Sequence, residues 1–265
     1  FDGAGHTISN FYQNTWEMFG DYNDGYSGTP NHYKDAMGLF GYVLNGKVVN
    51  LTVDHFSSDG EFTPTGVIAA YADGESSFEN IAITNCNPRV YNTGNGGIIG
   101  IAGNSNGGDA ITLSNITVDN SNKISALWGS WDVACGGLVG MFRGNDKGST
   151  ISFNNCHVSA QIDVYNDVCA NYQYYAYRCC GMLIGNTNQS QVIDGTPYAA
   201  APQLTCKNVT VTYGDWMNYT YCEFAGTGYP YVRVQAGVSV DAYTNIRYGH
   251  PTDANGNTVV DDNHV

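Results

Sequence analysis

The chain has 265 residues and carries 24 acidic against 10 basic side chains, which gives a net charge of −14 at neutral pH. This excess of negative charge disfavours binding to nucleic acids or to anionic membrane surfaces, because both need clustered cations. No apolar stretch approaches the ~20 residues that a membrane-spanning helix requires. No signal peptide precedes Phe1, so we expect a processed product or a piece of a longer protein.

The N-terminal part of the chain combines a first repeat, residues 1–11, with an aromatic insertion, residues 12–36. Insertions of this length in compact domains are usually functional or disordered, and a high density of aromatic residues disfavours disorder. We expect the insertion to leave the repeat structure and to contact a ligand. Its candidate binding residues are Tyr12, Trp16, Tyr22, Tyr26 and Tyr33.

From residue 37 onward a short apolar phrase flanked by glycines recurs. Its copies are Gly38-Leu39-Phe40-Gly41, Gly66-Val67-Ile68-Ala69, Gly97-Ile98-Ile99-Gly100, Gly136-Gly137-Leu138-Val139-Gly140 and Gly181-Met182-Leu183-Ile184-Gly185. A second phrase follows each copy and begins at Asn50, Asn80, Asn115, Asn155 or Asn208. The first phrase closes at residues 41, 69, 100, 140 and 185, so successive copies lie 28, 31, 40 and 45 residues apart. This spacing is typical of repeat proteins.

The repeats predict an all-β fold in which each repeat forms one coil of a parallel β-helix. Each has two short apolar segments without helical periodicity, and one coil alone cannot bury its inward side chains. Coils stacked at the ~4.8 Å strand spacing can share an interior. The flanking glycines allow positive φ and close backbone approach. Asparagine also tolerates the left-handed conformation, so the five asparagines are expected to form a ladder at one corner.

A second aromatic insertion, at about residues 161–180, interrupts the late repeats. Its candidate binding residues are Tyr165, Tyr172, Tyr174, Tyr175 and Tyr177. In both insertions the rings either contact a partner or fold back over the flank of the stack, and the sequence leaves the two alternatives open. The repeat phrases end near residue 211. Residues 212–265 are interpreted as a C-terminal β cap, or as the start of a following segment, because an open stack needs a polar end.

Eight cysteines favour export to an oxidising compartment. Cys135 and Cys180 hold the same place in successive glycine phrases, which brings them within the Cα separation that a disulfide accepts. They are interpreted either as a disulfide or as two small buried apolar residues. Cys169 and Cys179 flank much of the second insertion and could close it as a loop. The expected localisation is extracellular, at a cell surface.

Two further motifs are ambiguous. Asp253, Asn255, Asn257 and Asp261 have the oxygen-ligand spacing of a calcium loop, but Thr258 stands where the loop requires glycine, and Asn255-Gly256 also suits a hairpin turn. Apart from this weak Ca²⁺ candidate, the sequence indicates no cofactor. Candidate glycosylation sequons begin at Asn50, Asn115, Asn188, Asn208 and Asn218. Three of them coincide with the second phrase, so repeat geometry explains them without a glycan.

The sequence contains neither a Walker phrase nor a His-Glu-x-x-His motif. Many β-helix enzymes that act on acidic polysaccharides need clustered carboxylates. The candidates here do not recur at one repeat position, and we interpret them as solvated loop residues. They are Asp54, Asp59, Asp119, Asp132, Asp163 and Asp167, with His55 beside the first.

The segment Phe1-Asp2-Gly3-Ala4-Gly5-His6-Thr7-Ile8-Ser9-Asn10-Phe11, with the two repeated phrases, resembles the GLUG-motif repeats of bacterial surface and secreted proteins. The resemblance covers about residues 1–211. Right-handed β-helix adhesins have repeats of a similar kind. It implies a right-handed solenoid, cell-surface display and adhesion, with no catalytic residue to transfer. A repeat signature does not fix function.

Three functions are compatible with these features. The favoured hypothesis is a non-catalytic extracellular module, a stiff spacer that presents aromatic loops to a glycan or a protein. The alternatives are a carbohydrate-active β-helix enzyme, either a lyase or a hydrolase, and a subunit that binds copies of itself in a filament or virion shell. We expect no nucleic-acid partner and no transmembrane segment.

Overall fold

The computed structural model describes residues 1–14, 36–60, 63–91, 93–104, 106–127, 133–144, 148–165, 178–186, 204–213 and 238–242. Within these residues the protein is all β, with 21 strands in four sheets and no helix. The strand pairs in all four sheets are parallel. The all-β class and the parallel pairing predicted from the repeats are therefore confirmed.

Each sheet collects strands from successive repeats. Sheet 1 contains β1 (Asp2–Asn14), β3 (Lys47–Asp59), β6 (Glu75–Thr84), β10 (Ala110–Val118), β14 (Thr150–Asn154), β15 (His157–Val158), β19 (Leu204–Lys207), β20 (Val209–Tyr213) and β21 (Val238–Ala242). Sheet 2 contains β7 (Arg89–Tyr91), β11 (Lys123–Leu127) and β16 (Gln161–Tyr165). Sheet 3 contains β4 (Thr65–Gly66), β8 (Gly94–Gly96), β12 (Val133–Gly136) and β17 (Arg178–Gly181). Sheet 4 contains β2 (Phe40–Leu44), β5 (Ala69–Asp73), β9 (Ile99–Ala102), β13 (Val139–Phe142) and β18 (Ile184–Asn186).

The chain visits the sheets in a fixed order. From β6 it passes through β7, β8 and β9, which belong to sheets 2, 3 and 4, and returns to sheet 1 as β10. The next repeat follows the same order through β11, β12 and β13. Each new strand pairs with its counterpart from the preceding repeat, so repeats of different length keep one register.

An asparagine in the left-handed conformation divides the long strands of sheet 1 into two halves. In β10, Ile111 and Leu113 are buried before Asn115, whereas Ile116 and Val118 are buried after it. Strict alternation would turn the second pair outward, because side chains on a strand alternate between faces. The left-handed residue shifts the phase by one, so both halves contribute to the same core.

The main core lies behind sheet 1 and receives one side chain from each repeat at each level. Phe78, Leu113 and Phe153 stand opposite one another in register and are buried. The apolar phrases supply the facing wall: the N–H of Ile98 donates to Leu138 O at 2.9 Å, and that of Leu138 donates to Leu183 O at 3.2 Å. The predicted stacking of these phrases is confirmed.

The glycines of the first phrase serve close backbone approach. A Cβ built on Gly140 would lie 2.5 Å from Asn95 N and 2.6 Å from Gly100 O. We also expected positive φ at these glycines; among the flanking positions this is found only at Gly38, and the repeated left-handed residues are the asparagines instead. The copy predicted as Gly66-Val67-Ile68-Ala69 is one residue longer than expected, because Ala69 pairs with Ile99 and Ala70 therefore stands opposite Gly100.

The structure shortens both aromatic insertions. Tyr12 still belongs to β1, where it pairs with Ser57, so the first insertion begins after Asn14. The second is bounded by β16, which ends at Tyr165, and by β17, which begins at Arg178. Beyond the last repeat phrase, β21 continues sheet 1 in parallel with β20. The remainder of the predicted cap lies outside the described residues.

Candidate functional site

The five repeated asparagines form the predicted ladder on the outer face of sheet 1. Their φ angles lie between 52° and 56°. From Asn208 to Asn80, each Nδ2 donates to the Oδ1 of the preceding asparagine, at distances of 3.0, 3.2, 2.9 and 2.9 Å. Only an amide side chain donates and accepts in this way while tolerating a left-handed backbone, which explains the choice of asparagine at every step.

Asp2 terminates this asparagine ladder. Its Oδ1 accepts the Asn50 amide at 3.0 Å and the N–H of Ala4 at 2.8 Å. These two hydrogen bonds, led by that of Ala4, lower the pKa of the Asp2 carboxyl. A carboxylate accepts but cannot donate, so the chain of amide donors ends at this residue.

A shallow groove of about 290 Å³ runs beside the asparagine ladder. The amides of Asn50, Asn80 and Asn115 form one side, and Thr52, Ala82 and Thr117 form the other. Sequence reasoning found the ladder but not this groove. The register that places Ala82 between two threonines depends on how the strands pair, and no motif signals it.

The two aromatic insertions begin and end at one corner of the repeat, where the chain passes toward sheet 3. The strands before the corner are in register, with Asn14 opposite Asp59, and with Tyr91, Leu127 and Tyr165 opposite one another. The residues after the corner are also in register: Met37, Thr65, Asn95, Cys135 and Cys180. We call this place the connection corner. It is spanned by residues 15–36, 60–64, 92–93, 128–132 and 166–177 in successive repeats.

Two of the ten predicted aromatic binding residues lie on described strands. The Tyr12 side chain is 59% exposed on β1, the terminal strand of sheet 1. Tyr165 is the last residue of β16. The other eight lie outside the described residues: Trp16, Tyr22, Tyr26, Tyr33, Tyr172, Tyr174, Tyr175 and Tyr177.

Two of the described candidate carboxylates, Asp54 and Asp119, accept hydrogen bonds within the fold, whereas the Oδ1 atom of Asp59 is buried without a hydrogen-bond partner. Asp54 accepts from Asn85 Nδ2 at 2.9 Å and Thr84 Oγ1 at 2.8 Å, and its Oδ2 lies 2.6 Å from His55 Nδ1. Asp119 accepts from the hydroxyl of Ser121 and from Asn122 Nδ2. Asp59 lies at the end of β3, and Asp163 on β16 pairs with Ser125. Asp132 and Asp167 lie outside the described residues.

The hydrogen bonds of Asp54 predict a pH dependence of stability. The amide of Asn85, followed by His55 and Thr84, lowers the pKa of Asp54 from 3.8 to about 2. A lowered folded-state pKa means that this carboxylate stabilises the fold above about pH 4 and loses that contribution as the pH falls toward 2. Thermal unfolding of the Asp54→Asn variant should therefore show a deficit at pH 7 that shrinks as the pH falls from about 4 toward 2. A deficit that does not change with pH would contradict this prediction.

A buried acidic pair that sequence reasoning missed lies where the chain returns from sheet 4 to sheet 1. Asp109 accepts from Gly74 N at 2.8 Å, Asn104 N at 2.9 Å and Ser149 Oγ at 2.9 Å. Asp73 accepts the Tyr42 hydroxyl at 2.6 Å, and burial raises the pKa of its carboxyl. Neither residue belongs to a repeated phrase, and the available signals were only the turn dipeptide Asp73-Gly74 and the glycines before Asp109. Asp109 fixes the turns of three successive repeats.

The predicted alignment of Cys135 with Cys180 is confirmed, because the two residues are Cα partners on β12 and β17. Cys135 is buried and its Sγ donates to Ile124 O at 3.2 Å. The Cys180 side chain, Cys169 and the Cys179 side chain lie outside what the structure describes, so the disulfide remains a prediction. Elsewhere, burial raises the pKa values of Cys86 and Cys156 to about 11, which makes these thiols poor nucleophiles.

The sequons at Asn50, Asn115 and Asn208 place their amide nitrogens in the asparagine ladder, in agreement with a role in repeat geometry. Asn188 and Asn218 lie outside the described residues, as does the calcium-like segment with Asp253, Asn255, Asn257 and Asp261. Among the described residues, no three His, Cys, Asp or Glu side chains are grouped to hold a metal ion. The same part of the chain contains no helix long and apolar enough to cross a membrane.

Comparison of the chain with protein-family models, curated proteins and solved structures finds no match. The resemblance to GLUG-motif repeats therefore rests on the repeated phrases themselves.

Proposed function

We propose that the protein is a non-catalytic, extracellular surface module that presents aromatic segments to a glycan or a protein from a stiff repeat scaffold. The observation that carries this proposal is the connection corner. Its in-register flanking strands bring the ends of both aromatic insertions to one side of the stack.

We further propose that the four sheets close into one right-handed parallel β-helix. Support comes from the constant order in which the chain visits the sheets and from the parallel register between repeats. Connections between parallel strands of one sheet are right-handed in about 98% of cases, because the strand twist favours that hand. Such a helix would form a stiff spacer, since the asparagine ladder ties each repeat to the next.

Aromatic residues at the connection corner suit a binding surface. The connections contain Trp16 and Tyr22 in the first repeat, Trp128 and Trp131 in the fourth, and Tyr172 in the fifth. Aromatic rings offer large contact area at low entropic cost, and their faces stack on sugars or on protein side chains. The first and fifth repeats are four strand spacings apart, or ~19 Å along the stack. A ligand that runs along the stack could engage both.

Charge narrows the class of partner. The first connection carries Glu17, Asp21, Asp24 and Asp35 against the single cation Lys34. An acidic surface repels polyanions, so a neutral or cationic partner is favoured over an acidic polysaccharide. A non-catalytic function is also favoured because the carboxylates of Asp54 and Asp119 accept hydrogen bonds within the fold. The cysteine content supports the proposed extracellular localisation only through its even number, since Cys86, Cys156 and Cys206 are free thiols in the structure.

Replacing Trp16, Tyr22, Tyr172 and Tyr175 together by alanine tests this function. We expect an unchanged melting temperature, because the rings do not pack on the scaffold. We expect at least about a tenfold loss of affinity on a glycan array or for a cell surface, because the rings contact the partner. Phe1→Ala is the control, since Phe1 is 58% exposed and packs on Phe40 away from the corner. A large fall in melting temperature, with binding retained per folded molecule, would show that the rings pack on the scaffold.

A further inference from the structure

The groove beside the asparagine ladder has the shape and chemistry of a second binding site. Thr52, Ala82 and Thr117 are direct neighbours on β3, β6 and β10. Adjacent strands lie ~4.8 Å apart. An alanine between two threonines leaves a dent whose floor is the Ala82 methyl group and whose walls are the threonine side chains. Gly5 lies at the edge of the dent, where an added Cβ would meet nothing within 4 Å.

The groove retains unused hydrogen-bonding capacity. An amide side chain has two N–H donors and an oxygen with two lone pairs. Each internal ladder amide uses one donor and one lone pair within the asparagine ladder, as Asn80 does between Asn50 and Asn115. Within the described part of the chain, the hydroxyls of Thr52 and Thr117 have no hydrogen-bond partner. Spare donors and acceptors are therefore available along the groove.

The groove is uncharged but lies between carboxylates. None of its lining residues is ionisable. Asp54 lies two residues beyond Thr52 on the same outward face, and Glu79 precedes Asn80 on the other side. Glu79 is paired with Lys47, whose Nζ lies 2.8 Å from Glu79 Oε2, so Asp54 is the carboxylate that disfavours an anion here. The lining offers no charged partner to a cation inside the groove. It matches a neutral molecule with many hydroxyl groups and a C–H face to rest on the alanine methyl group.

We propose that this groove, which we call the ladder groove, binds a neutral oligosaccharide. The sugar hydroxyls pair with the spare amide donors and acceptors and with the threonine hydroxyls, while a sugar ring rests on Ala82. This site is separate from the connection corner and does not depend on the aromatic residues there.

The substitution Ala82→Thr tests the ladder groove directly. It continues the threonine column across β6 and fills the dent, and a β-branched residue suits an outward strand position. Ala110→Thr is the matched control, because Ala110 is an exposed alanine on β10 of the same sheet, outside the groove. Thr52→Val and Thr117→Val then remove the hydroxyls with little change of shape.

The probes are cellohexaose, mannohexaose and N-acetylchitohexaose, with hexagalacturonate as the anionic comparison, titrated by calorimetry and NMR. We expect at least one neutral probe to bind. Ala82→Thr should weaken that binding by about tenfold or more, and Ala110→Thr by less than about twofold. The hydroxyl-free variants should also bind less tightly, and hexagalacturonate should not bind.

Absence of binding by all three neutral probes would overturn the ladder groove, as would binding that Ala82→Thr leaves unchanged or stronger binding of hexagalacturonate. The two proposed sites are distinguishable. Loss of neutral-glycan binding in the aromatic quadruple variant but not in Ala82→Thr would refute the groove and support the connection corner. The reverse pattern would support the groove and refute the corner as the glycan site.

Discussion

Replacing Gly140 by alanine should destabilise the protein severely. The added Cβ would lie 2.5 Å from Asn95 N and 2.6 Å from Gly100 O, both of them backbone atoms of neighbouring strands. Backbone cannot rotate away as a side chain can, so sheets 3 and 4 must separate at this level. We expect the free energy of unfolding, measured by urea titration, to fall by about 3 kcal/mol or more, at the upper end of the effects of overpacking.

The same column of sheet 4 supplies a matched control for this prediction. Gly41 holds the equivalent place on β2, and a Cβ there would meet only the Ala36 side chain at 3.5 Å. Gly41→Ala should therefore change the free energy of unfolding by less than about 0.5 kcal/mol. The column already contains one alanine, Ala70. If Gly140→Ala were as stable as Gly41→Ala, close backbone approach would not explain the repeated glycines.

The substitution Asn115→Ala should produce the second large loss of stability. It removes the amide that donates to Asn80 at 2.9 Å and accepts from Asn155 at 3.2 Å. It also forces alanine to adopt a φ of 54°. The left-handed conformation costs about 1–2 kcal/mol for alanine, and each lost hydrogen bond costs about 1 kcal/mol. We expect the free energy of unfolding to fall by about 3–4 kcal/mol, the sum of the strain and the two hydrogen bonds.

Asn115→Gly separates the two causes of this loss, because glycine adopts the left-handed conformation without strain. This variant should lose only the two hydrogen bonds, about 2 kcal/mol. Asn154→Ala is the neutral control, since Asn154 lies on β14 beside the asparagine ladder and outside it. Equal losses for Asn115→Ala and Asn115→Gly would show that backbone strain contributes nothing. No loss in either variant would show that the asparagine ladder does not stabilise the fold.

The two proposed binding sites differ in how much of each could be predicted from the sequence. The sequence alone identifies the aromatic residues as unusual, because they interrupt a regular repeat. It does not reveal that the insertions leave from the same corner, since that also depends on the register of the strands before the corner, where Asn14 stands opposite Asp59 and Tyr165 opposite Leu127. The ladder groove could not be predicted from the sequence at all. Ala82 is seen to lie between Thr52 and Thr117 only when the pairing of β3, β6 and β10 is known.

The parallel β fold, the stacking of the glycine phrases and the asparagine ladder follow from the sequence by itself. These features repeat, and each repeat imposes the same local requirement: an apolar side chain inside, a small residue at close approach, or a left-handed amide at the bend. Features without repetition were decided by tertiary structure. Ala70 takes the closing place of its phrase, Tyr12 belongs to a strand, and Asp109 becomes the acceptor that joins three turns. Each of these depends on which residues of distant repeats face one another, and pairing across 30 to 40 positions is set by the whole stack, because no single segment contains the partners.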